Sequence, residues 1–457
     1  MISLVEVADR MRSGPRMEDR EWSMALFKKI SQLVKDYDIH CPTEPKDWQN
    51  TDDSLADAAW QAAVDFVVDM GCFCLTRERV VKFTEEEVKT AIRSMENEVV
   101  MGTGKDTRIW KQHQIEGNEP INFSPGHHAP FTEDLANLVV QNFAMMPRLD
   151  FIEGFNFPII DGYDIYGIPL EAYASKRQLA WMREGLRKAG RPGTAIVNYP
   201  ITTAASSFLA TVDPVAGLRP TDGVLLSVLP DVKVEYDLIT VAITLQSYGY
   251  FGISGSFGMV GGFAGGPEGA IIEGLAKTLI AWMVYRDNLY YNGVEHLNHV
   301  SGVRRVMNPV HFARSVVYQA TIRNSKGIPM QWPIPISELC TASHLEELIL
   351  RSIEAAVNGA NLYVPRVSRS RVNGGQTPAD AELAIEAADA AIKMGIKRDE
   401  VYEMFKPVIT KLMTNTTPEE GKLITECYDL QRHKPSPEYQ ALIDRIRLEF
   451  VNCGLQW

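Results

Sequence analysis

The chain has 457 residues, of which 45% are hydrophobic and 23% are charged, and its formal net charge at pH 7 is -12. The length allows either one large barrel with extensions or two to three smaller domains, and the composition is typical of a soluble globular protein. An acidic chain without a basic stripe is a poor partner for nucleic acid or anionic lipid. The sequence has neither an apolar run of about 18 residues nor the pattern of a signal peptide, so we expect a cytoplasmic protein.

Residues 1–130 are predicted to form a mostly helical N-terminal extension. An apolar-striped run begins at Ser54 and stops at Gly71, which is the usual pattern of a helix that ends at a glycine. Thr84 is followed three residues later by a glutamate, and this spacing predicts a capping box at the start of another helix. From Pro120 to Pro130 the sequence is rich in Asn, Gly, His and Pro, which indicates a connection.

Residues 131–376 alternate short apolar runs with helical stretches, and this order predicts parallel strands joined by helices. About seven or eight strands over roughly 240 residues suit a TIM (β/α)8 barrel better than a doubly wound sheet. Helices are expected within Pro169–Lys188, Gly269–Arg286 and Ser337–Asn358. The predicted strands are LDFIEGF (149–155), GTAIVNY (193–199), GVLLSVL (223–229), LITVAITLQSY (238–248), GVEHLNHV (293–300), IPMQWPI (328–334) and ANLYVPRV (360–367).

Residues 377–457 are predicted to form C-terminal helices that pack on the barrel or at a subunit interface. Three pairs of an N-cap residue and a proline predict helix starts, and two glycines predict helix ends. The pairs are Thr377-Pro378, Thr417-Pro418 and Ser436-Pro437, and the glycines are Gly395 and Gly454.

Motifs for phosphate or metal binding are weak in this chain, and we predict no metal site. The glycine-rich segment 258–274 has neither the Rossmann spacing nor the lysine of a P-loop, so a tight barrel loop is the better interpretation. Residues 102–106, GTGKD, also lack the P-loop spacing. His296 and His299 lie three apart on a predicted strand and would face opposite sides, so we expect one of them to line a pocket rather than both to bind one metal ion.

Aromatic and amide side chains collect where the predicted strands end. In a TIM barrel the carboxyl ends of the strands form the active site, and aromatic faces attract a cation by about 0.5–2 kcal/mol each. Aromatic residues also pack in cores, and by themselves these residues leave the reaction open. The candidates are Asn198, Tyr199, Gln246, Tyr248, Tyr250, Gln331 and Trp332.

Three stretches resemble the monomethylamine:corrinoid methyltransferases in order and spacing. They are GCFCLTRERVVKFTEEEVKTAIRSMENEVVMGTGKDTR (71–108), AGRPGTAIV (189–197) and GGFAGGPEGAIIEG (261–274), and TECYDL (425–430) adds a weaker match. The resemblance implies a TIM-barrel methyltransferase, commonly a homohexamer, with no tightly bound cofactor of its own. Such an enzyme moves a methyl group from a small methylated substrate to the cobalt(I) of a corrinoid carried by a separate partner protein.

The special residues of that family are replaced in this chain. By the resemblance, the position of the family's pyrrolysine falls on Val197, and the acidic residue that assists pyrrolysine falls on Gly255. The family's Gln and Tyr partners fall on Ile328 and Met330. The joint replacement implies a pyrrolysine-independent methyltransferase whose substrate is already activated, such as a methylated amine or a quaternary ammonium compound.

Under this interpretation Tyr199, Tyr248, Tyr250 and Trp332 form a cage for the cation. Orienting or catalytic roles fall to Asn198, Gln246, Gln331, His296 and His299, and Val197 and Gly255 line the substrate pocket. Two alternatives stay open at this point. One is a TIM-barrel lyase or hydrolase in which His296 or His299 is a general base, and the other is a non-catalytic barrel that binds a methylated solute.

Overall fold

Eight parallel strands form the centre of the molecule. The computed structural model describes residues 1–125, 129–167, 169–198, 204–212, 217–300, 306–415 and 417–457, without the side chains of Asn198, His299 and Val300. The strands are β1 (Phe123–Ser124), β2 (Phe151–Glu153), β3 (Ala195–Asn198), β4 (Gly223–Leu225), β5 (Phe251–Ser254), β6 (Asp287–Tyr290), β7 (Ile328–Gln331) and β8 (Asn361–Tyr363).

Each of these strands lies beside the next in sequence, as a (β/α)8 barrel requires. The ladder runs β1-β8-β7-β6-β5-β4-β3-β2, and all of its pairs are parallel. The ring closes between β1 and β2, where the Asp150 N–H donates to the Phe123 carbonyl and Ser124 Oγ donates to the Phe151 carbonyl, both over 3.0 Å. The predicted TIM-barrel fold is confirmed.

Helices surround the barrel and extend it at both ends of the chain. Helix α3 of the N-terminal part packs against α9 and α11, and the C-terminal helices α13, α14 and α16 pack against α12. In the described part of the chain, no helix has the length and apolar character needed to cross a bilayer. The helices are α1 (Leu4–Ser13), α2 (Asp19–Asp36), α3 (Asp53–Met70), α4 (Glu85–Ser94), α5 (Ala136–Ala144), α6 (Leu170–Lys188), α7 (Ala205–Leu209), α8 (Leu238–Tyr248), α9 (Pro267–Ile280, continued by a π-turn at Ala281–Tyr285), α10 (Leu297–Val300), α11 (Asn308–Asn324), α12 (Ala342–Val357), α13 (Pro378–Met394), α14 (Glu400–Thr414), α15 (Ile424–Cys427) and α16 (Pro437–Asn452).

Short strands outside the barrel form small sheets that tie the loops together. One antiparallel hairpin joins Glu98–Met101 to Arg108–Lys111, and a parallel pair joins Gly258–Val260 to Val294–His296. The other short strands are Cys72–Cys74, Arg79–Val81 and Lys233–Val234 in one sheet, Ile159–Ile160 with Tyr163–Asp164, and Tyr428–Asp429 with Lys434–Pro435.

Local capping signals identify most of the predicted helix starts correctly. The capping boxes at Thr84 and Thr377 are present, and the Ser436 side chain accepts the N–H of Tyr439. The start predicted at Thr417 is wrong, because residues 417–423 are not helical. The main chain of this segment instead forms a hydrogen bond to the turn before α12, where the Lys422 N–H donates to the Leu339 carbonyl over 3.0 Å.

Two predicted strands are wrong. The run 238–248 is helix α8, and its buried residues Leu238, Val241, Ala242 and Leu245 have the spacing of a helical face. Its β-branched residues are typical of a strand, but the segment is the helix that connects the neighbouring parallel strands β4 and β5. The run 293–300 is not a barrel strand, because Val294–His296 pairs outside the barrel and α10 follows it.

Three barrel strands were not predicted. Strand β1 is only two residues long, β5 contains a glycine and is followed by more of them, and β6 begins directly after the turn that ends α9. The division into three domains stays a prediction. Strand β1 nevertheless lies before residue 131, so the barrel includes residues that the prediction gave to the N-terminal extension.

The hairpin 98–111 closes the N-terminal end of the barrel. The Trp110 ring lies 4.8 Å from the ring of Phe151 in β2, and its indole N–H donates to Asp150 Oδ2 over 2.9 Å. Val99 and Met101 join the same apolar cluster as alternate residues of β2 to β8. Since strand side chains alternate between faces, this cluster fills the barrel interior.

A network of buried charges lies between α11, α12 and the short strand Val294–His296. Glu295 accepts from Arg314 and from Arg351, and all three side chains are at most 2% exposed. Burial is the main cause that lowers the pKa of His311, which contacts Glu354 over 2.8 Å. The members of this ionic network are Trp48, Glu295, His311, Arg314, Glu347, Arg351 and Glu354.

Asp287 at the N-terminal end of β6 predicts a pH dependence of stability. Its carboxyl group is fully buried, and burial holds its pKa well above the ordinary value. An unfolded aspartate releases its proton near pH 3.9, whereas the folded one keeps it to higher pH, so the contribution of Asp287 to stability falls as the pH rises above about 4. Asp287→Asn should remove this loss and gain stability over the wild type by about 1.4 kcal/mol per pH unit until the folded pKa is reached.

Urea unfolding of both proteins between pH 4 and 8 measures this difference. Asp134→Asn, at an exposed position, is the control and should follow the wild-type curve. A stability difference between Asp287→Asn and the wild type that does not change with pH would contradict the prediction.

Candidate active site at the barrel mouth

Four aromatic rings meet at the carboxyl ends of β5 to β8, and we call them the mouth aromatic cluster. Tyr291 lies 5.1 Å from Trp332 and 5.1 Å from Tyr363, with the second pair stacked. Phe257 stacks on Trp332 with 5.6 Å between ring centroids. Each ring follows or ends a different strand, so the barrel geometry brings together residues that lie far apart in sequence.

The cluster already contacts a positive charge. The guanidinium carbon of Arg366 lies 4.8 Å from the centroid of the Trp332 ring. The main-chain N–H of Arg366 also donates to the Pro333 carbonyl over 3.0 Å, which fixes the loop after β8 against the loop after β7. A cation over the face of tryptophan is attracted by about 0.5–2 kcal/mol, so this contact helps to hold Arg366 against the Trp332 ring.

Position 255 has room only for a glycine, because the Tyr291 ring occupies the space that a side chain would need. A Cβ built on Gly255 would lie 1.5 Å from Cζ of Tyr291, and the next two ring atoms are 1.8 and 1.9 Å away. No side chain fits there while the tyrosine ring keeps its place. An aromatic ring therefore takes the volume in which the resemblance implies an acidic side chain.

Val197, Ile328 and Met330 lie in the barrel interior, as alternate residues of β3 and β7. All three are fully buried in the apolar cluster that also contains Trp332 and Tyr291. The structure thus brings the three positions into one apolar core with the cluster. Their side chains are aliphatic and offer neither an electrophile nor a titratable group.

Glu153 is a charged residue at the mouth that the sequence reasoning missed. It is the last residue of β2, it is fully buried, and its Cα pairs with that of Val197 in the neighbouring strand. The signal was present in LDFIEGF, where the acid stands two residues after Phe151 and so shares its face of the strand. Tyr291 and Tyr363 were also missed.

The structure does not bring four of the predicted residues to the mouth. Gln246 and Tyr248 lie at the end of α8, and Tyr250 precedes β5, so all three lie at the opposite end of that strand. Tyr248 is 56% exposed, and the Tyr250 hydroxyl donates to the Leu218 carbonyl. Gln331 faces outward between Met330 and Trp332, and it accepts a hydrogen bond of 2.7 Å from the Tyr318 hydroxyl of α11.

The remaining predicted residues lie around the loops of the mouth. His296 ends the short strand Val294–His296, and its Nδ1 accepts the N–H of Asn298 over 3.0 Å, so in the neutral ring the proton is on Nε2. Asn198 ends β3, but its side chain and that of His299 lie outside the described residues, as does the whole of Tyr199. Nothing in these contacts favours a histidine general base.

Two of the motifs that carry the resemblance contact each other at the closed end of the barrel. The Thr103 N–H donates to the Gly193 carbonyl over 2.8 Å, and the Gly193 N–H donates to Asp106 Oδ2 over 3.0 Å. A Cβ on Gly193 would lie 2.2 Å from the Thr103 carbonyl oxygen, which explains the glycine. Segments 102–106 and 189–193 are therefore structural and hold the hairpin against the barrel.

The cysteines of the chain are free thiols. Cys72 is fully buried, and burial raises the pKa of its thiol well above the ordinary value. Among the residues that the structure describes, no three His, Cys, Asp or Glu side chains are grouped to hold a metal ion.

Comparisons with known proteins agree along the whole chain. The family model described as "Monomethylamine methyltransferase MtmB" matches residues 2–455. The chain is 24% identical over 453 residues to monomethylamine methyltransferase MtmB of Methanosarcina mazei, with 98% of this chain and 97% of that protein covered. It is also 24% identical over 455 residues to MtmB1 of Methanosarcina barkeri, with the same coverage. The crystal structure of the Methanosarcina barkeri MtmB has the same fold, with a TM-score of 0.91 at 21% identity over 99% of this chain and 98% of that chain.

Proposed function

The chain belongs to the monomethylamine methyltransferase MtmB family, and on this basis we propose that it is a pyrrolysine-independent, corrinoid-dependent methyltransferase. It takes a methyl group from a methylated amine or a quaternary ammonium compound. The acceptor is the corrinoid of a partner protein, which supplies a cobalt(I) nucleophile that takes the methyl carbon while the C–N bonding pair stays on nitrogen.

The chemistry of the leaving nitrogen supports an already cationic substrate. A nitrogen that carries four substituents departs as a neutral amine, whereas an unprotonated amine would have to depart as an anion. Val197 cannot form a covalent adduct with an amine. The protein is left with binding and orientation, and holding the reacting groups in line contributes a large part of the barrier reduction in such reactions.

The observation that carries the proposal is the fit of Tyr291 into the space above Gly255. The ring extends an aromatic surface over Trp332 and Tyr363, and such a surface attracts a quaternary ammonium group at any pH. Val197 and Met330 form an aliphatic layer beside it, which excludes water from the reacting methyl group. We therefore propose Val197, Gly255 and Trp332 as substrate-binding residues, the role that the sequence predicts for them.

The test is methyl transfer to a purified corrinoid protein held as cobalt(I), with a panel of N-methyl compounds. At least one cationic compound should produce the methyl-cobalt(III) spectrum. Trp332→Leu should lower kcat/KM for it roughly 2- to 30-fold, the value of one cation–aromatic contact.

Trp457→Leu is the matched control for this experiment. Arg447 lies 4.6 Å from the ring centroid of Trp457, much as Arg366 lies beside Trp332, but at the C-terminal helix α16. This variant should keep the wild-type rate. Absence of methyl-cobalt(III) with every compound of the panel would contradict the proposed function.

We further propose a cytoplasmic homo-oligomer, a hexamer by resemblance to the family. Sedimentation velocity measures this state directly. A monomer at micromolar concentration would contradict it without affecting the proposed reaction.

A further inference from the structure

Phe257 is the most exposed ring of the mouth aromatic cluster. It is half-buried, whereas Trp332, Tyr291 and Tyr363 are at most 9% exposed. It stacks on Trp332, and its centroid lies 6.1 Å from that of the Tyr291 ring. The part of the cluster that a small molecule can reach from solvent is therefore mainly Phe257.

The loop that carries Phe257 is held by a fully buried lysine. The ammonium group of Lys277 in α9 donates to the Phe257 carbonyl over 2.7 Å and to Ser256 Oγ over 3.1 Å. Its third partner is the Glu273 carboxylate, at 2.7 Å. Because an ammonium group has three N–H donors, all of them are used here, and two of them hold the loop after β5.

Glu273 extends this arrangement to a second loop. It lies one turn before Lys277 in α9, and its side chain is 1% exposed. Its Oε2 accepts the N–H of Met259 over 3.1 Å, and its Oε1 accepts the N–H of Asp231 over 2.8 Å. Since Asp231 belongs to the connection after β4, the ion pair fastens the segments after β4 and β5 to one helix.

A buried ion pair is not the most stabilising way to pack a helix against a barrel. Apolar side chains of similar volume often give equal or greater stability, and most of the other buried residues of α9 are apolar. Apolar side chains cannot, however, bind the carbonyl of Phe257 or the N–H of Met259. The charged pair is therefore suited to fixing the position of the main chain that carries Phe257.

We infer that Phe257 is a substrate-binding residue at the entrance of the mouth, and that Lys277 is the positioning residue that sets its ring. This inference rests on the proposed function and deepens it. The face of a phenyl ring attracts an N-methyl cation. Glu273 balances the charge of Lys277, so the lysine places the ring without repelling the cation.

The test measures the affinity of the full chain for tetramethylammonium by calorimetry. Phe257→Leu removes the aromatic face but keeps an apolar side chain, and it should lower the affinity roughly 2- to 30-fold, the value of one cation–aromatic contact. Lys277→Met combined with Glu273→Gln removes both charges, so that neither is left buried without its partner. This double variant should lower the affinity by a similar factor.

The same changes in a Phe257→Leu background separate positioning from a general structural role. If Lys277 acts through Phe257, removal of the charged pair should then change the affinity by less than about twofold, because residues that act through one contact are not additive. Ser256→Ala is a milder variant, since it removes one bond from Lys277 without a change of charge. It should also lower the affinity only while Phe257 is present.

Arg183→Met combined with Asp222→Asn is the matched control. It removes another buried ion pair, whose side chains are 13% and 2% exposed, between α6 and the residue before β4. This pair lies at the opposite end of the strand from the mouth, so the variant should bind tetramethylammonium as the wild type does. Circular dichroism and thermal unfolding check that each variant is folded.

The outcomes for the inference and for the proposed function are distinct. A wild type that does not bind tetramethylammonium, or Phe257→Leu with wild-type affinity, overturns the role of Phe257 even if methyl transfer is observed. No loss on removal of the charged pair, or an equal loss in both backgrounds, overturns the role of Lys277. The expected losses in a protein that methylates no corrinoid support both roles and overturn the proposed reaction.

Discussion

Gly255→Glu is expected to destabilise the folded chain by about 3 kcal/mol, the upper part of the range for overpacked sites, and to abolish methyl transfer. The new side chain would need the volume that the Tyr291 ring now fills, since even a Cβ at this position would lie 1.5 Å from Cζ. To admit it, Tyr291 must leave its stacked contact with Tyr363 and its contact with Trp332. Urea unfolding measures the stability, and formation of methyl-cobalt(III) measures the activity.

A second variant shows whether the clash with Tyr291 is the cause. Gly255→Glu combined with Tyr291→Ala should recover stability relative to Gly255→Glu alone, because residues in contact show coupling energies of about 0.5–3 kcal/mol. Gly262→Glu is the control on an exposed loop, and its unfolding free energy should stay within about 0.5 kcal/mol of the wild type. If Gly255→Glu is as stable as the wild type, the Tyr291 ring does not exclude a side chain at position 255, and the prediction is wrong.

Glu295→Gln is expected to destabilise the protein by about 3–5 kcal/mol, the usual cost of removing one partner of a buried ion pair. Glu295 accepts from both Arg314 and Arg351, and neither guanidinium reaches bulk water, since both side chains are at most 2% exposed. The amide removes the negative charge between two buried cations and changes the shape of the side chain little. Urea or thermal unfolding measures the loss.

Glu85→Gln is the control for this variant. Glu85 pairs with Lys89 one turn along α4, and both side chains are about half exposed or more. Surface pairs of this kind contribute little to stability, so the unfolding curve should match that of the wild type. An equally small effect of Glu295→Gln would mean that the ionic network does not hold the loop between β6 and α11 in place.

Sequence reasoning predicted the architecture because its signals are local. Thr84, Thr377 and Ser436 stand at real helix starts, and the apolar runs around Phe151 and Val197 are real strands. Strand β5 was missed because Gly252 lowers the strand propensity of this short run. The run forms a strand because it pairs with the neighbouring strands β4 and β6.

The site was less predictable, because it depends on which face each side chain takes. Trp332 was correctly predicted to lie at the mouth, whereas Gln331 beside it faces α11. Successive residues of a strand point to opposite faces, so neighbours in sequence lie in different environments. Tyr291 depends on β6, which was not predicted, and its contact with Gly255 joins residues from two loops. Tyr248 was misplaced because α8 was taken as a strand, which moved the residue to the wrong end of the barrel.

The hairpin that closes the N-terminal end of the barrel also bears on the kinetics of the proposed reaction. With Trp110 packed on Phe151 beneath the interior, substrate and corrinoid partner both approach from the carboxyl ends of the strands. A docked partner then covers the path by which the small molecule came in. We expect a compulsory order in which the methyl donor binds before the partner and the demethylated amine dissociates after it. Initial-rate patterns with that amine as inhibitor should be competitive against the donor, and an excess of the partner should slow turnover.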